Sequence, residues 1–150
     1  MILGFKEKFA DGTPTHFMQK ILTSVTPDGH GVCAEVPYGF TPKIHTLREG
    51  ERWRAGLTIE MAYNSRSKNY HQFNRHIPLL HTCISTQDIF MIYYNKKLKI
   101  FIDAEWQHYY AKQLLVKNDG LNILQFLSFF FPKGEGEWSG QIIHWTNFKY

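Results

Sequence analysis

Apolar and polar residues alternate from Leu57 to Met61, the period of a strand with one buried face, and the segment predicts a strand over Leu57–Tyr63. Ile2–Phe5, Leu79–Ser85, Ile89–Tyr94, Leu98–Ile102 and Gln141–Trp145 read as further strands. The turn Asn95-Lys96-Lys97 makes two of them a hairpin. A different period runs through Pro14–Leu22, where Phe17 and Ile21 share a helical face behind a proline suited to an opening turn. Asp103 is placed to cap a helix to about Lys117, and Gly120 to end it in the left-handed conformation. Asn122 is placed to cap another helix through Phe130, stopped by Pro132. Thr26–Pro42, with three Pro and three Gly, reads as a long loop, and Asn64–Asn74 as a polar, basic one. About six strands and three short helices predict an α+β fold, a curled mixed or antiparallel barrel with helices at its rim.

Composition narrows the class. At 150 residues, 43% apolar and 16% aromatic, the chain has material for one core, so residues 1–150 are read as a single domain. No run approaches the ~20 apolar residues of a membrane span, and Met1–Lys6 has no basic stretch ahead of an apolar one, so no signal peptide is expected. Cys33 and Cys83 do not make a disulfide framework. The expectation is a cytoplasmic protein with no membrane contact. Oligomeric state is not readable.

Charge changes the picture more. All five arginines lie between Arg48 and Arg75. From Pro42 to His76, seven cations stand against three anions, so this segment carries the chain's whole net charge of +4. Trp53, Tyr63, Tyr70 and Phe73 are interleaved with them. Arginine forks grip phosphate and stack on bases, and basic residues among aromatics suit a nucleic-acid or nucleotide surface. Arg48, Arg52, Arg54, Arg66 and Lys68 are the candidate contacts; a solvated basic face without a partner is the bland alternative.

The eight histidines carry no metal-ligand spacing: His71, His76 and His81 are five apart, and no cysteine pair supports them. No metal and no cofactor are expected. Cys83, in an apolar run, reads as a core residue. Trp53, Trp106 and the His144-Trp145 pair are candidate aromatic walls, with core packing the plainer reading for Trp145.

Lys43-Ile44-His45-Thr46-Leu47-Arg48, followed by Gly56, resembles the Lys-x-x-Thr-x-Arg signature of the ASCH domains, a group within the PUA-like superfamily. The order of elements matches in outline, although Gly39 precedes Lys43 by four residues where the family usually has an adjacent glycine. The resemblance implies a PUA-like barrel whose basic cleft, at Lys43, Thr46, Arg48, Arg52, Arg54, Arg66 and Lys68, binds RNA or a nucleotide. Some ASCH-like proteins are amidohydrolases that remove an acyl group from N4-acylated cytidine, using the motif's Lys and Thr with a later Glu. Here Lys117 and Asn118 stand where that Glu falls, and Asp119 or Glu105 is left to supply the carboxylate.

The residue types permit that chemistry. A neutral Lys43 can take the proton of Thr46, as in Ser–Lys hydrolases. On one regular strand, positions 43 and 46 face opposite sides, so Lys43 must sit on a bend ahead of the strand, which Pro42 suits. An enzyme needs a carboxylate beside Lys43 and Thr46 in a narrow pocket; a binding module needs only an open basic groove.

Overall fold

The computed structural model describes residues 1–25 and 39–150. The protein is α+β. Its elements in chain order are β1 (Ile2–Phe5), α1 (Phe17–Thr23), β2 (His45–Glu49), β3 (Glu60–Tyr63), β4 (His71–Gln72), β5 (Ser85–Tyr94), β6 (Lys97–Ile102), β7 (Glu105–Trp106), α2 (Tyr109–Asn118), α3 (Ile123–Phe130) and β8 (Gly136–His144). The strands form two sheets. One holds three strands in the order β1-β3-β4, with β1 and β3 parallel; the other holds five antiparallel strands in the order β2-β8-β5-β6-β7. The larger sheet ends on β2 and β7, so the strands do not close into the expected barrel.

The larger sheet follows from alternation and turns. Along β5, Ser85, Gln87, Ile89 and Met91 are buried while Asp88 and Phe90 are exposed. Asn95 and Lys96 take φ of 49° and 59°, the positive values of a two-residue hairpin turn, and join β5 to β6. β8 lies between β2 and β5 and is buried from Gly140 to His144. Gly140 is needed there, since a Cβ would come within 2.1 Å of the Arg48 carbonyl oxygen.

Several expectations are corrected. The helix expected from Pro14 begins at Phe17, because Pro14 bridges to Lys8. The strand expected from Leu57 begins at Glu60; Thr58 makes only an isolated bridge to Thr82. The loop expected over 64–74 includes β4. Of Leu79–Ser85, only Ser85 is in a strand, as the first residue of β5: Pro78–Leu80 is one 3-10 turn, where Pro78 at the start favours tight winding. Asp103 caps no helix. Its carboxylate accepts from the Asp88 amide and from Gln87 Nε2, in a turn where Asp103 and Ala104 have φ of 49° and 67°. That turn leads into β7, and α2 starts only at Tyr109. Most of the 26–42 loop, with Cys33, lies outside the described residues.

α3 matches its expectation. Asn122 and Gln125 form a reciprocal capping box at its start. Gly120, with φ of 73°, turns the chain between α2 and α3. The core runs from Leu3, Phe17 and Ile21 through Leu47, Met61 and Met91 to Phe126 and Ile142, and includes Cys83 and Trp145.

Candidate active site

Lys43 lies ahead of β2, not in it. Its amide donates to the Lys20 carbonyl at the end of α1, and the Ile44 amide donates to the Asn118 carbonyl at the end of α2. The backbone is thus clamped between two helix ends before the strand begins. This is the bend that lets Lys43 and Thr46 face one space, and it delivers Lys43 against the α2–α3 junction. A Cβ on Gly120 would stand 3.1 Å from that of Lys43, so the glycine serves both the turn and the lysine's room.

Lys43 is 1% exposed. Its ammonium donates to the Asp119 carboxylate, and to the Asp119 backbone carbonyl at 2.7 Å. It also lies 4.8 Å from the centre of the Phe17 ring. Asp119 is buried as well. Burial is the largest influence on both groups and pushes both toward neutrality. It draws Lys43 down to about 8, with Asp119 opposing, and raises Asp119, with Lys43 opposing. The pair therefore holds a lysine far easier to deprotonate than one in water, with a carboxylate alongside to take or return a proton.

Thr46 and Arg48, on one face of β2, line a cavity of about 150 Å³ with Lys43 and Asp119. Its other walls include Phe5, Phe17, Phe129 and Phe130. Arg48 donates from Nη2 to the Gly4 carbonyl at 2.6 Å and lies over the Phe5 ring at 5.2 Å. Thr46 is 2% exposed, and among the described residues no group hydrogen-bonds its hydroxyl. At about 30 Å³ per liquid water, the space admits an acyl group and the edge of a flat ring, not a polymer.

The other candidates fall elsewhere. Glu105 is on β7, at the edge of the sheet opposite β2, so of the two carboxylates Asp119 is the one at Lys43 and Thr46. Arg52, Arg54, Arg66 and Lys68 are exposed. Arg52 and Arg66 share a depression of about 500 Å³ with Arg48 and Trp53; Arg54 and Lys68 lie outside it. The proposed aromatic walls at Trp106 and Trp145 line neither space. Trp145 is buried, its indole donating to Ser24 Oγ, and Trp106 is exposed on β7. Among the described residues, no three His, Cys, Asp or Glu side chains gather as a metal site. No helix there is long and apolar enough to cross a membrane.

Two features were missed from the sequence. His45 is fully buried, with Nδ1 3.9 Å from Asp119 and Nε2 2.7 Å from the Tyr150 hydroxyl, which also accepts from Asn118 Nδ2 at 3.0 Å. Burial first, then Lys43, holds His45 well below the usual imidazole range, so the ring beside the ion pair is neutral. Its place inside the motif was the available signal. The phenylalanine walls were the second omission, and the Phe129–Phe131 run was their trace.

Compared with protein-family models, with curated proteins and with solved structures, the chain matches none.

Proposed function

We propose that this chain is a small amidohydrolase of the ASCH type, which removes an acyl group from the exocyclic amine of a nucleobase, N4-acylated cytidine being the compound the resemblance points to. One observation carries the reading: a buried Lys43–Asp119 pair meets Thr46 in a narrow, phenylalanine-walled cavity. An open groove for RNA has no need of such a pair. In the reaction, neutral Lys43 takes the Thr46 hydroxyl proton as Oγ1 bonds the acyl carbon. Arg48 faces the oxyanion that develops. Collapse breaks the C–N bond, and the Lys43 ammonium returns its proton to the departing amine. Water then cleaves the Thr46 ester and releases the acid. Asp119 orients Lys43 throughout.

The same reading places the fold in the PUA-like group. It is supported by the order strand, helix, signature strand, hairpin, paired helices and a final strand that returns beside the signature strand. The test is chemical. Acid quench of the protein with N4-acetylcytidine should trap an acetyl group on Thr46, visible by peptide mass. Free cytidine with no acylated Thr46 under any quench would exclude the covalent route.

A second reading, an RNA-binding module, is favoured by one feature. Arg52, Arg54, Arg66 and Lys68 are exposed with no ion pair among the described residues.

A further inference from the structure

The Lys43 cavity is not isolated. Gly4 and Arg48 line both it and the shallower depression that carries Arg52, Arg66 and Trp53. A Cβ on Gly4 would come 2.6 Å from Ser65 Oγ, so the 64–67 loop packs closely over β1, with Arg66 at the mouth. Arg48 belongs to the inner space: its guanidinium is fixed by the Gly4 and Leu47 carbonyls and by the Phe5 ring. Arg52 and Arg66 make no ion pair among the described residues. No carboxylate lines the depression.

We propose that Arg52 and Arg66 form a phosphate subsite beside the Lys43 cavity, so that the substrate is a nucleotide and not the bare nucleoside. The geometry divides the ligand in two. The inner cavity, small and walled by phenylalanines, takes the acyl group and the edge of the base that bears it; the outer depression, open and cationic, takes the anionic end. Two guanidinium forks lining one depression suit the oxygens of a single phosphate. A small nucleotide is favoured over a long RNA because Arg54 and Lys68, which a strand-tracking groove would recruit, lie outside the depression.

The proposal rests on the amidohydrolase reading for the inner cavity, and two measurements keep them apart. The first compares N4-acetylcytidine with its 5′-monophosphate. kcat/KM for the nucleotide should be higher by roughly tenfold, the size of one or two solvent-exposed charge-assisted contacts. Arg52→Ala/Arg66→Ala should bring that ratio close to one, through KM. A ratio near one in the wild type would overturn the subsite and leave the amidohydrolase standing. So would an equal loss from Arg54→Ala/Lys68→Ala, which marks a diffuse field. The second measurement is calorimetric titration with cytidine 5′-monophosphate and with cytidine, which needs no turnover. Tighter binding of the monophosphate, lost in Arg52→Ala/Arg66→Ala, supports the subsite even if neither acetyl compound is hydrolysed, and only the amidohydrolase then fails. Equal binding of the two overturns the subsite, as does binding of single-stranded RNA alone.

Discussion

The molecule holds its candidate functional cations in two ways. Lys43 is buried, bonded to Asp119 and clamped by backbone at Lys20 and Asn118. Arg52, past the end of β2, and Arg66, in the 64–67 loop, stand in solvent with no acidic partner among the described residues. The buried cation is costly to keep and gains reactivity from that cost; the exposed ones cost nothing and offer only attraction. On the proposed reading, one region serves proton transfer and the other holds charge.

Breaking the pair on one side should separate the two regions most sharply. Asp119→Ala leaves Lys43 without its carboxylate and should destabilise the fold by about 3–5 kcal/mol, read by urea unfolding. Arg52→Ala should stay within about 0.5 kcal/mol of the parent. Lys43→Met combined with Asp119→Leu should recover most of the stability, because an apolar pair replaces a buried ionic one. A double variant as weak as Asp119→Ala would show that the pair is not the cause.

How much of this was legible in the sequence depends on the range of the forces involved. Local signals were reliable: the short apolar stretch at Ile2–Phe5, the turn at Asn95 and Lys96, and the Asn122 cap all act within a few residues. Leu79–Ser85 and Asp103 misled because apolar runs and capping residues also serve tight turns. Lys43, Thr46 and Arg48 were legible as a group through their resemblance to the ASCH signature, and one bend and one strand face carry them. Asp119 over Glu105 was not. That choice is made by the crossing of α2's end over the start of β2, a contact between residues 76 apart. His45 and Tyr150 were hidden for the same reason.

His144 extends the contrast to the far side of β2. Burial holds it down to about 4, below its ordinary 6.5, so the unfolded chain binds a proton there before the folded one does. Stability from this group is complete above pH 6.5 and falls as pH drops toward 4, by up to about 3 kcal/mol. His144→Phe should flatten urea midpoints across that window; an unchanged slope would assign the acid sensitivity elsewhere.

The smallest expected effect belongs to the exposed cations. If the basic segment holds single-stranded RNA through about three phosphates, log K should fall against log salt with a slope near −2. Arg52→Ala/Arg54→Ala should make the slope shallower. Salt-insensitive binding, the same in wild type and double variant, would remove the RNA reading.

The buried cation is tested most directly by its base chemistry. With N4-acetylcytidine, kcat/KM should rise with pH and level off above about 8, where Lys43 becomes neutral. Lys43→Arg should release no cytidine at any pH, because arginine keeps its proton. Cytidine release that survives Lys43→Arg, with the same pH profile, would contradict the account.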